Sequence, residues 1–169
     1  MAPEDPGPPP PDPSTWTLPR LRITRDGDWL HDDEDVTHAG ILRNLRENLR
    51  VDAAGHYLQI GPARVPVEVD DAPYLVLRVE PEGEQLILTL NDFSREPLAI
   101  ETLSFDERAV PHCRVKGGRF LARLSRAATY QLLDRVEADE FGECATLRVG
   151  DVRRSLRLPS DRPSERPAP

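Results

Sequence analysis

Two short stretches hold residues that could act together on a ligand. Arg126 and Tyr130 stand four apart in a segment that reads as helical, so they share one helix face. That face could hold an anion at Arg126 or bury Tyr130 in a core. The run Asp70-Asp71-Ala72-Pro73-Tyr74 is a turn by residue type, because Asp bonds its own backbone and Pro presets φ. It also lies where a groove lining would be useful, just ahead of the central hairpin.

The other chemically suggestive residues read as structural. His31-Asp32-Asp33-Glu34-Asp35 supplies four carboxylates and an imidazole, and hard cations bind clustered carboxylate oxygens. The EF-hand spacing and its Gly are missing, so the run is expected to be a solvated acidic loop. His31, His38, His56 and His112 show no metal-ligand spacing. His112 and Cys113 are neighbours on a strand and point to opposite faces, which forbids a base–nucleophile pair. Ser125 suits a helix N-cap. Lys116-Gly117-Gly118 is a hairpin turn, not the strand-to-helix loop that cradles phosphate. The expectation is a protein with no catalytic residue, no metal site and no cofactor that can be named.

Composition narrows the partners. The net charge is −8, with 30 acidic and 22 basic residues, and Lys116 is the sole Lys. Such a chain is a poor match for nucleic acid, which demands clustered bases. The Arg residues alternate with acids, as in 43–50, and read as a solvated helix face. No apolar run approaches a membrane span and no secretion signal is present, so a cytoplasmic location is expected. Cys113 and Cys144 then read as structural thiols.

Seven of the 18 Pro lie in residues 1–16, which have almost nothing apolar to bury; residues 159–169 hold four more. Both ends are expected to be disordered tails. Between them, 17–80 reads as the N-terminal half of a duplicated core, and 81–158 as a central hairpin strand plus the C-terminal half.

The core elements follow from pattern. Asp26-Gly27 between apolar runs signals a hairpin. A helix is expected over 37–50, capped by Thr37, with Ile41, Leu42, Leu45 and Leu49 on one face. Strands follow at 57–60, 64–69, 74–79, 85–90, 98–105, 112–115 and 119–124. A second helix, 125–136, would bury Thr129, Leu132, Leu133 and Val136. Strands at 145–149 and 152–158 end the core. The class is α+β.

The core repeats. Gly27, Trp29 and Leu30 match Gly118, Phe120 and Leu121 at an offset of 91, and Ile60-Gly61 matches Val149-Gly150 at 89. Each half is strand, strand, helix, strand, strand. Two such halves leave a groove where they meet, and such junctions favour ligands.

Three blocks carry a resemblance: LRITRDGDWL (21–30), DAAGHY (52–57) and VEVDDAPY (67–74), with VKGGRFLARLSRAATYQLL (115–133) further on. In that order they resemble the bacterial domain of unknown function 1285 family, over about 21–158. The segment Leu90-Asn91-Asp92-Phe93 departs from that family's pattern. The resemblance implies a duplicated α/β core, a pleckstrin-homology-like C-terminal half, and a groove for a nucleotide-like molecule in a signalling setting. The expected function is a ligand-binding or sensory module for a small anionic ligand, with Asp71, Tyr74, Arg114, Arg126 and Tyr130 as its binding residues. The alternative is an interaction adaptor that meets a protein partner through a sheet edge or the Pro-rich tail.

Overall fold

The computed structural model describes residues 18–138 and 144–156. The expected tails, and the last two residues of the strand expected at 152–158, lie outside the described residues.

Two six-stranded sheets make up most of the fold. The first contains β1 (Leu21–Ile23), β2 (Trp29–His31), β3 (Glu34–Asp35), β4 (Leu49–Asp52), β5 (Gly55–Ile60) and β6 (Ala63–Val69). Their order is β3-β2-β1-β6-β5-β4. The second contains β7 (Tyr74–Glu82), β8 (Gln85–Leu90), β9 (Arg95–Pro97), β10 (Ser104–Phe105), β11 (Pro111–Val115) and β12 (Phe120–Leu124). Their order is β10-β11-β12-β7-β8-β9. Each sheet is two antiparallel meanders joined by one parallel pair, β1 with β6 and β12 with β7. In both, the first strand of the first meander meets the last strand of the second.

A parallel join needs a crossover. In the first sheet it includes α1 (Ala39–Asn48); in the second it includes a short 3-10 helix (Ile100–Thr102). A second helix, α2 (Arg126–Leu133), follows β12 and leads to a three-stranded antiparallel sheet of β13 (Val136–Ala138), β14 (Ala145–Val149) and β15 (Val152–Leu156). The fold is α+β and duplicated. The structural repeat runs β1–β6 onto β7–β12, so the offsets of 91 and 89 do not set its register: Gly27 turns β1 into β2, Gly118 turns β11 into β12, and Gly150 turns β14 into β15 outside both six-stranded sheets. Trp29 and Phe120, matched at the offset of 91, are both buried.

The core is apolar and continuous across the sheets, with Ile23, Trp29, Leu58, Val76, Leu88, Leu124, Leu132 and Leu147 among its deepest side chains. Alternation explains the central hairpin: Leu86, Leu88 and Leu90 on β8 are buried while Gln85 is exposed.

Several sequence expectations need correcting. α1 begins later than expected, and its N-cap is His38, not Thr37: the His38 Nδ1 accepts from the Gly40 and Ile41 amides at 3.2 and 3.4 Å. Leu49 belongs to β4, and Ile41 stands 52 % exposed. α2 is capped by Ser125 as expected, whose Oγ accepts from the Ala128 amide at 3.1 Å. It buries Ala128 and Leu132; Leu133 is exposed, and Val136 opens β13. The strand expected at 98–105 is instead the 3-10 helix and β10, because Thr102 folds back to place its Oγ1 on the Arg114 amide at 2.9 Å.

Candidate functional site

A cleft of about 630 Å³ lies between the first sheet's helix and the turns of the second sheet. One wall is α1 and the start of β4, with Leu42, Arg43, Arg46, Glu47 and Arg50. The other is Asp92 and Phe93 from the β8–β9 turn, with Lys116 and Arg119 from the β11–β12 turn. Tyr74 and Phe120 form the floor. A cavity of this size suits a small organic ligand.

The charge balance of the lining opposes that of the chain. Five bases face two acids. Arg43 and Arg46 make no ion pair among the described residues, as is also true of Arg25, Arg78 and Arg114; what sets them apart is that they line a cleft together with Lys116 and Arg119. Arg50 is used differently: its Nη1 donates to the Glu47 and Leu49 carbonyls, each at 2.8 Å, and so closes the end of α1. Arg119 Nε donates to the Lys116 carbonyl at 3.0 Å.

Lys116 ties the two turns together. Its ammonium donates to Asp92 Oδ2 at 2.7 Å and to Ser94 Oγ at 2.6 Å. Burial works against the Asp92 carboxylate, but the bonds from Lys116 and Ser94 together outweigh it and hold Asp92 below its ordinary range. The floor is dry. Tyr74 is 4 % exposed with its ring centroid 5.5 Å from that of Phe120. Burial pushes its hydroxyl up to about 12, helped by the nearby Asp92 charge.

Phe93 is the anomaly of the site. Its ring is 81 % exposed and its φ is +64°. A bulky residue in that left-handed region costs about 1 kcal/mol. The turn holding it is well made: the Phe93 amide donates to the Leu90 carbonyl at 2.9 Å, and Asp92 Oδ1 accepts from the Ser94 amide at 3.0 Å.

The five residues singled out from sequence do not converge here. Tyr74 alone lines the cleft. Asp71 lies where the two sheets join, and its carboxylate is already engaged. It accepts from His112 Nε2 at 3.0 Å and lies 3.5 Å from Arg123 Nε. His112 Nδ1 also lies 3.0 Å from the Val110 carbonyl, so both ring nitrogens face oxygen acceptors. Arg114 is exposed on β11. Arg126 and Tyr130 are exposed on the outer side of α2, where Tyr130 is 61 % accessible. Burial pushes the Cys113 thiol up to about 12 and suits it to packing.

Arg43, Arg46, Lys116, Arg119 and Phe93 were missed. The Arg43–Arg46–Arg50 spacing and the departure at 91–93 were their signals in the sequence. The expected acidic loop turns β2 into β3, with Asp32 and Asp33 at positive φ and Arg20 between them and Glu68. No helix among the described residues is long and apolar enough to cross a membrane.

Comparison with known proteins gives fold neighbours. No family model matches the chain, and no curated protein matches it. A crystal structure of a DUF1285 family protein from Silicibacter pomeroyi DSS-3 matches with a TM-score of 0.68 at 22 % identity, covering 88 % of each chain. A second DUF1285 family protein, from Shewanella baltica OS155, matches with a TM-score of 0.60 at 18 % identity, over 69 % of this chain and 91 % of that one. The chain shares the fold of these proteins.

Proposed function

We propose that this DUF1285-like domain is a ligand-binding module that takes a small nucleotide-like anion in the cleft between α1 and the second sheet. The observation that carries the reading is the pair Arg43 and Arg46. They face Lys116 and Arg119 across an aromatic floor, without carboxylate partners, in a chain whose net charge is −8. An unpaired guanidinium offers a planar fork that matches phosphate or carboxylate oxygens.

Thermal unfolding with nucleotides and sugar phosphates tests this reading. A ligand at 100 times its dissociation constant adds about 2.7 kcal/mol, so a binder raises the Tm by several degrees. Arg46→Ala should abolish the rise. An unchanged Tm across the whole set overturns the reading.

A further inference from the structure

We propose that Phe93 is the specificity-determining residue of the cleft. Its ring is the platform on which the planar base of the ligand stacks, so a nucleoside monophosphate is held in preference to its sugar phosphate. This rests on the anion reading above and names the half of the ligand that the Arg residues do not reach.

Three rings border the cleft, and two are committed. Tyr74 and Phe120 are each 4 % exposed and pack against one another at 5.5 Å, so they belong to the core. The Lys116 ammonium also lies over the Tyr74 ring, 5.4 Å from its centroid. Phe93 has its ring free on the cleft wall. The fold gains nothing visible from a Phe there. The position has φ +64°, which Gly or Asn adopts far more easily, and it exposes the ring to water. A residue that is unfavourable to the backbone and unused by the core is explained by something that binds it.

The turn is also built to hold the backbone at Phe93 still. Lys116 donates to both Asp92 and Ser94, the residues on either side of Phe93. The Leu90 amide donates to the Ser94 carbonyl at 3.0 Å and closes the loop. A fixed turn leaves only the side-chain torsions of Phe93 to be ordered when a base stacks on its ring. Stacking tolerates any base, because every base has a flat face, so the class is a mononucleotide and not one particular base.

Calorimetric titration of the full chain with AMP, UMP and ribose 5-phosphate tests the proposal. In the wild type the nucleotides should bind about ten-fold tighter than ribose 5-phosphate, the effect of one stacked base. Phe93→Asn, which suits the positive φ and keeps the turn, should remove that difference and leave ribose 5-phosphate unchanged. Phe93→Trp should restore the difference. Equal binding of all three ligands by the wild type, or a preference that survives Phe93→Asn, overturns the role of Phe93 while leaving the anion reading standing. Absence of binding by any of the three, with no heat from pyrophosphate, overturns both.

Discussion

The two sheets meet in two places, and the two junctions are built in opposite ways. At the first, the link between β6 and β7 places Asp71 against His112 and Arg123. His112 is 5 % exposed, and no other charged type is as deeply buried among the described residues. The β1–β2 turn closes over this junction: Arg123 Nη1 donates to the Arg25 carbonyl at 3.3 Å, and Asn91 Oδ1 and Nδ2 join the Leu75 amide to the Gly27 carbonyl. At the second junction, α1 stands off from the second sheet and buries no residue of its own. A second hollow of about 490 Å³ lies beside the same helix, along Leu21, Ile41 and Leu45. Charges at the first junction are matched; those at the second are left with an excess of bases. A closed seam holds the sheets together, and an open seam leaves a place for a ligand.

Mutations should separate the two seams. The largest effect is expected from Asp71→Ala, which leaves the buried His112 without its carboxylate and Arg123 with Asp26 alone. Breaking a buried pair costs about 3 kcal/mol, and urea unfolding should show a loss of that order with ligand response unchanged in kind. A loss near zero would mean that the first seam is not held by charge.

Gly27→Ala should cost about 2 kcal/mol, from strain at positive φ and a clash. Gly27 has φ +86°, and an added Cβ would stand 2.6 Å from Asn91 Nδ2 and 3.3 Å from Leu75 Cβ. Asn91→Ala in the same background should recover part of the loss, because it removes the nearer obstacle. Failure to recover any of it would place the whole cost in the backbone.

Asp92→Asn acts on the open seam and should cost about 1 kcal/mol at neutral pH. The native carboxylate is held below its ordinary range, so its contribution is present above about pH 4 and is lost as pH falls through the native value. The stability gap between variant and wild type should therefore narrow on acidification. A gap that widens below pH 4 would contradict the assignment.

The smallest stability effect belongs to Arg46→Ala. With no ion pair to lose, it should shift unfolding by no more than about 0.5 kcal/mol in either direction. If Arg46→Ala destabilised as much as Asp71→Ala, the contrast between the seams would collapse.

Much of the fold was legible because strands and turns write themselves into short windows. The Tyr74–Leu90 hairpin and the Gly27, Gly61, Gly118 and Gly150 turns were all readable from alternation and glycine placement. The end of α1 was not. Leu49 continues the apolar face of a helix and equally well begins a buried strand, and pairing with Leu58 on β5 chose the strand. The stretch around Ile100 looked like a strand because it is apolar. Its backbone instead turns, with the Thr102 and Leu103 amides donating to the Ala99 and Ile100 carbonyls at 2.9 and 3.1 Å.

The site was less legible than the fold. Tyr74 was found because it follows a turn at the sheet junction. Arg43 and Arg46 share α1 with a single acid, Glu47, and that basic spacing was read as a solvated helix face because nothing in the sequence places the helix beside a cleft. Asp71 was expected to line the groove; it lies outside the cleft at the sheet junction, against His112, 41 residues away. Arg126 and Tyr130 do share a helix face, but the opposite side of α2 is the one that packs, through Ala128 and Leu132.

By itself the sequence determined the local geometry, because period, glycine and capping residues act within a few positions. It also determined the acidic surplus that makes a basic cleft unusual. Tertiary structure alone decided which charges are matched and which are left over. Ion pairing depends on approach within about 4 Å, and that approach was set when the two sheets closed over Asp71 and left α1 standing apart from Phe93 and Lys116.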